Sequence, residues 1–261
     1  ATIISTGTNF LGLAFGPLMA GLLAQYAPWP LHLSFVVYLT VVVVVAALIW
    51  RTRETVVRPV HDFSKISLRP RIGVPRAIRV KFVAPAVAGF GAMALFGFFA
   101  ALAPSILAQE LHETSHAAAG ALVFELAIVC AATVVLTHRL SSRAAMLWGL
   151  GLMVPSVLLL VTAQMLASMP VMICATALCG VSAGLGYRGS LQVVNQIAPE
   201  DRRAEVVSSY FVCCFIGNAL PVIGVGVISA YAGMPFASTI FAGMIVLFAL
   251  VALIFGVKYT R

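Results

Sequence analysis

Apolar residues run along this chain in long unbroken blocks rather than in alternation. Eight blocks are long enough for a helix to cross a bilayer, which needs about 20 residues. They cover residues 3–24, 31–50, 82–106, 117–136, 144–163, 170–188, 206–231 and 236–257. Strands of a membrane barrel would instead alternate lipid-facing and interior side chains. The pattern predicts an all-α membrane protein, a polytopic bundle of eight transmembrane helices.

Composition narrows the solvent. Of the residues, 62% are hydrophobic and 9% charged, whereas soluble domains carry about 25% charged residues. The surface is therefore mostly lipid-facing. The net charge of +8 raises the question of nucleic acid, and its distribution answers it. Arg51, Arg53, Arg58, Lys65, Arg69, Arg71, Arg76, Arg79 and Lys81 put nine of the sixteen basic residues in one polar interruption, 51–81. The remaining seven fall in 138–143, 188–203 and the tail from Lys258, and the four intervening connections hold none. Cationic loops stay on the cytoplasmic side. This asymmetry predicts a multi-pass protein of the inner (cytoplasmic) membrane with both ends of the chain cytoplasmic, and no nucleic-acid partner. The 51–81 stretch reads as a solvated, orienting linker or as a contact for anionic headgroups. Cys130, Cys174, Cys179, Cys213 and Cys214 all lie in apolar blocks without metal-ligand spacing, as buried thiols do. No metal or other cofactor is expected.

An internal repeat adds domain organisation. A shift of 205 positions lays Phe10 on Phe215, Gly12 on Gly217, Ala14 on Ala219 and Gly21 on Gly226. It also matches Tyr26-Ala27 with Tyr231-Ala232, and Pro30 with Pro235. Both copies run in the same direction across the membrane, as in parallel repeats related by an axis along the membrane normal. The second copy closes a run of six spans, the first ends just before the basic linker, and equal halves imply four further spans ahead of Ala1. The expected division is 1–50 as the last two helices of one bundle, 51–81 as linker, and 82–261 as a six-helix bundle.

This plan resembles the major facilitator superfamily, with the chain covering its fifth to twelfth helices. The segment Gly12-Leu-Ala-Phe-Gly16-Pro17-Leu-Met-Ala20-Gly21 is similar to the GxxxGPxxGG motif of the drug:proton antiporter branch, with Ala20 in place of a glycine. Gly12, Gly16, Pro17 and Gly21 are then expected to form a close-packed, pliable helix seam. Arg53-Glu54-Thr55-Val56 resembles the exit of the family's sixth helix. His138-Arg139-Leu-Ser-Ser-Arg143 stands where a basic loop motif recurs, without its Asp, and 198–205 resembles the loop before the eleventh helix. The resemblance implies a secondary active transporter working by alternating access, most simply proton-coupled efflux of amphipathic compounds. Proton-coupled uptake of a metabolite or sugar is the alternative. Its partners are a small solute, protons and the bilayer, and it acts as a monomer and not as an enzyme.

Charges inside spans mark site candidates, since each is costly in lipid unless paired, hydrated or neutralised. Of eight acids only Glu125 falls well inside a span, roughly 13 Å from its outer end. It is either a proton-coupling carboxyl or a protonated side chain bonded to a neighbouring helix. Arg188, with Gln192 and Asn195 at helical spacing, either lines a polar solute path or reaches for headgroups. Asn218 is a further candidate for polar lining. Three enzyme-like patterns also occur. His112-Glu113-Thr-Ser-His116 matches HExxH, which on a helix would set two imidazoles on one face for zinc. An intramembrane metalloprotease would rest on it, but no third ligand is evident. Gly180-Val-Ser182-Ala-Gly184 and Gly184-Leu-Gly186-Tyr-Arg-Gly189 match nucleophile-elbow and dinucleotide patterns, yet no strand precedes either, and helix packing accounts for both. A non-transporting receptor or scaffold completes the alternatives.

Overall fold

Eight long helices build the protein in the computed structural model, which describes residues 2–52 and 72–259. They are α1 (Thr2–Tyr26), α2 (Pro30–Arg51), α3 (Arg79–Glu110), α4 (His116–Leu136), α5 (Ser142–Met165), α6 (Met169–Ile197), α7 (Arg203–Ala232) and α8 (Met234–Tyr259). All eight are long and apolar enough to cross a membrane, and no strand occurs among the described residues. The all-α membrane bundle expected from the sequence is thus the fold. The Arg53-Glu54-Thr55-Val56 motif and most of the basic linker lie outside the described residues.

The turns explain where the helices stop. Trp29, His112, Ala167 and Gly233 each adopt a positive φ, one in each of the four tight turns of the end that carries no cations. At the other end Ser115-like caps recur in a different guise: Ser141 accepts from the Ala144 amide at the start of α5, as Ser115 does from Ala118 at the start of α4. Such caps satisfy amides that the first helical turn leaves without partners.

One boundary differs from the sequence expectation. The sixth span was expected to end at Arg188, but α6 continues to Ile197. A cation ends a span when it must reach water, and Arg188 does not. It is only 4% exposed and its two terminal nitrogens find oxygen acceptors inside the protein, so the helix continues through it.

Small residues set the packing order. Helix α6 packs against α5, α4 and α3, while α3 also packs against α7 and α8. A Cβ at Gly180 would meet the Leu126 carbonyl oxygen at 2.8 Å, and one at Gly184 the Cys130 oxygen at 2.8 Å. These two glycines therefore bring α6 against the α4 backbone, as small residues do between membrane helices. Between them Ser182 donates to the Gly149 carbonyl of α5 at 3.0 Å. The nucleophile-elbow pattern is thus a helix-packing surface. Helix α1 joins the other six through α4, and α2 packs on α1 with none of its described side chains buried. The repeat is visible in these elements: Tyr26 and Tyr231 stand at the ends of α1 and α7, and Pro30 and Pro235 at the starts of α2 and α8.

Candidate functional site

A cavity of about 370 Å³ opens between α1 and the helices α3, α4, α6 and α7. Its residues lie near the middle of their helices. Asn9, Leu13 and Pro17 come from α1, and Met93 and Phe96 from α3. Helix α7 adds Phe211, Cys214, Phe215 and Asn218, while α4 and α6 supply Val123 and Tyr187. The wall is aromatic and amide in character. No Asp, Glu, Lys, Arg or His among the described residues belongs to it.

Two contacts hold α1 against the far wall of this cavity. Phe10, 1% exposed, stacks on Phe96 at 5.2 Å between centroids and meets Tyr187 edge-on at 5.3 Å. Nearer the turn end, Gly21 and Gly120 bring α1 and α4 together. A Cβ at Gly21 would stand 2.6 Å from the His116 carbonyl oxygen, and one at Gly120 would stand 2.5 Å from that of Pro17. Gln25 adds an acceptor for the His116 amide at 3.0 Å. The sequence expects a seam of Gly12, Gly16, Pro17 and Gly21 along α1. Pro17 and Gly21 stand at the contact with α4, whereas Gly12 and Gly16 are turned away from it, with no described atom near their Cβ positions. The physical reason is angular: Gly12 and Gly16 lie on a different face of α1 from Gly21.

Asn218 reaches the cavity because Gly97 of α3 leaves room for it; a side chain at Gly97 would run into the Asn218 backbone oxygen. Below it, Tyr210 is fully buried and shares a 2.7 Å hydrogen bond with Ser190 of α6. Val74, from the end of the linker, packs into the same cluster with Val206 and Val194. The Gly73 amide donates to Ser209 Oγ at 2.8 Å. The linker's end is therefore fastened across the start of α7.

The other sequence candidates lie elsewhere. The Arg188 guanidinium donates to the Thr137 carbonyl, to Thr137 Oγ1 at 3.1 Å, to the His138 carbonyl at 3.1 Å and to the Leu140 carbonyl at 2.9 Å. It closes the C-terminus of α4, where a cation also meets the negative end of the helix dipole. These bonds use Nη1 and Nη2, while Nε has no hydrogen-bond partner among the described residues. Asn195 donates to the Leu191 carbonyl of its own helix at 2.9 Å, and Gln192 is half-buried; neither belongs to the cavity wall. Glu125 is half-buried near the middle of α4, without a hydrogen bond or ion pair among the described residues, and off the cavity wall.

The HExxH residues do not share a helix. His112 has a φ of 55° in the α3–α4 turn, and His116 is the first residue of α4. Glu113 accepts from the Ser115 amide at 3.0 Å, shaping the turn. No cluster of three His, Cys, Asp or Glu suited to a metal occurs among the described residues.

Sequence reasoning missed Asn9, Tyr187, Met93, Phe96 and Phe211. Asn9 alone carried a signal, an amide within an apolar block; the others read as ordinary packing residues. A search of curated proteins returned no match. A family model for the Major Facilitator Superfamily matches residues 1–221, which include every residue named in the cavity wall, and the chain belongs to that superfamily of secondary transporters.

Proposed function

We propose that the protein moves a small amphipathic solute by alternating access through the cavity between α1 and helices α3, α4, α6 and α7. The observation that carries this is the cavity's position: it lies at mid-helix depth, where repeat-built transporters hold solute between their two halves. The division into 1–50, 51–81 and 82–261, with both chain ends cytoplasmic, belongs to the same proposal. It is supported by the segregation of the cations to one end of the bundle.

Proton-coupled efflux, as in the antiporter branch, is the mode we favour. Glu125 is the acid farthest from any helix end among the described residues, and it stands on the flank of α4. It therefore couples through movement of α4 rather than through contact with solute. Asn218 provides the polar contact within the cavity. Arg188, Gln192 and Asn195 support the inner ends of the helices.

The test is sidedness. With the five native cysteines replaced by serine, Asn218→Cys is exposed to a membrane-impermeant maleimide from either face of oriented proteoliposomes. Labelling from both faces, with the balance shifted by a proton gradient, is expected. Labelling from one face alone under every condition refutes alternating access at this cavity.

A further inference from the structure

Two polar side chains at the turn end of the bundle are enclosed without a polar partner. Gln164 is 4% exposed and Ser238 1%. Gln164 Nε2 and Oε1 and Ser238 Oγ make no hydrogen bond among the described residues. Arg143 and Arg188 each leave one nitrogen unpartnered as well, but both bond through terminal nitrogens. In Gln164 and Ser238 the whole hydrogen-bonding capacity of the side chain is unused. The described helices already enclose both side chains, so their partner has to fit inside this enclosure.

Three contacts place the two at one level. Helix α8 runs against α5, and a Cβ at Gly256 would stand 2.7 Å from Leu147 Cδ2. From that contact Ser238 lies eighteen residues back along α8, and Gln164 seventeen residues on along α5. Each is therefore about 26 Å from it, toward the turn end. The Arg143 bond to the Val257 carbonyl gives a similar register. Helix α3 runs parallel to α5, and a Cβ at Gly91 would stand 2.8 Å from Met153 Sδ. Eleven residues further along both come Leu102 and Gln164. The faces agree too. Leu150, Val157 and Gln164 recur at intervals of seven on α5, and Ser238, Ala242, Ala249 and Gly256 at intervals of four and seven on α8, all buried. One turn deeper, Phe98 of α3 stacks on Phe241 of α8 at 4.5 Å and sets an apolar floor beneath this level.

We infer that Gln164 and Ser238 form a hydration site, which holds a water molecule between α5 and α8 at the level of Leu102. Burying an amide and a hydroxyl unpaired is unfavourable, and an internal water joins about 2–4 such groups. The chemistry matches: a carboxamide offers two donors and an acceptor, a hydroxyl one donor and an acceptor, and water answers both. Access is short. Ser238 is four residues from the start of α8, about 6 Å, and Gln164 is the last residue but one of α5. Arg143 ties α8 to α5 at the basic end, and this water ties the same pair at the turn end. The site stands apart from the cavity beside α1 and does not depend on the transport reading.

Magnetic resonance of the protein in lipid nanodiscs, carrying isotope-labelled glutamine, tests this. A dipolar cross-peak between the Gln164 side-chain amide protons and water, with the sign of long-lived bound water, is expected. Its loss in Gln164→Met assigns it; should that variant not fold, replacing Gln25, Gln109, Gln192 and Gln196 in turn assigns it by elimination. Ser238→Ala should at least halve its intensity. In thermal unfolding, Gln164→Met and Ser238→Ala together should shift the apparent Tm by less than the sum of their separate shifts, because either one breaks the bridge.

Absence of the water cross-peak overturns the inference even where the Tm shifts are coupled, since a direct bond between Gln164 and Ser238 then accounts for the coupling. A cross-peak that Ser238→Ala leaves unchanged overturns it as well, and so do Tm shifts that simply add.

Discussion

Replacing Arg188 by alanine removes the guanidinium donors from the C-terminus of α4 and leaves the local backbone bond from the Leu140 amide to the Thr137 carbonyl. The carbonyls of Thr137, His138 and Leu140 then lose a common partner. A hydrogen bond to a charged group contributes about 1.5–3 kcal/mol, but dehydrating the guanidinium offsets much of that gain. Removing one side of such a buried network costs about 3–5 kcal/mol, and about 4 kcal/mol is a reasonable working value. At about 2–4 °C per kcal/mol for chains of roughly this size, the apparent Tm should fall by about 10 °C. Arg188→Lys should recover less than half, because an ammonium cannot reach three carbonyls as a planar fork does. Cys130, Cys179 and Cys214 are buried and report unfolding through a thiol-reactive dye. The assay is run in nanodiscs with and without anionic lipid. A Tm within about 2 °C of wild type for Arg188→Ala, or a loss seen only with anionic lipid, would refute the capping role and restore the headgroup reading.

Three further outcomes are expected. Gly120→Val should drive a side chain into the Pro17 carbonyl and abolish transport, whereas Gly12→Ala and Gly16→Ala should keep transport and raise stability slightly, by about 0.5–1 kcal/mol each; thermal scans and flux assays on the three variants decide it. Glu125→Gln should remove flux driven by a pH gradient while leaving solute counterflow, which needs no net proton movement; wild-type gradient-driven flux in that variant removes Glu125 from the mechanism. Purified protein should carry no stoichiometric zinc by elemental analysis, and His112→Ala should transport normally; one tightly held zinc per chain would revive the metalloprotease reading.

The membrane architecture was legible because lipid imposes a coarse rule: about 20 apolar residues per span, with cations at one end. The end of α6 was not, because the same rule treats Arg188 as a terminus. Only the fold supplies the carbonyls of Thr137, His138 and Leu140 that let this cation stay inside. The α1–α4 contact was half legible for a similar reason. Spacing shows that Gly12 and Gly16 share a face, but not which neighbour that face meets, and it is Gly21 that finds Gly120. Asn218 was recovered as a cavity residue because an amide in an apolar span is conspicuous. Tyr187 and Phe96 were not, since an aromatic ring lining a cavity and one filling a core look alike in sequence.

The cations gathered at one end of the bundle also close helices there, and both facts follow from one geometry. Helices α2, α4, α6 and α8 all run toward the basic end, so their C-termini, with free carbonyls and negative dipole ends, gather there. Arg188 serves α4. Arg143, at the start of α5, donates to the Val257 carbonyl near the end of α8 at 3.0 Å, and Arg51 and Lys258 occupy the last turns of α2 and α8. A cation at that end of the bundle is therefore already beside the acceptors that most need one. It follows that neutralising Arg143 should loosen α8 from α5 at that end. A double variant with Arg188 should lose stability nearly additively, because the two arginines close different helices and share no acceptor. Strong coupling between them in a double-mutant cycle would mean that the inner ends move as a single unit instead.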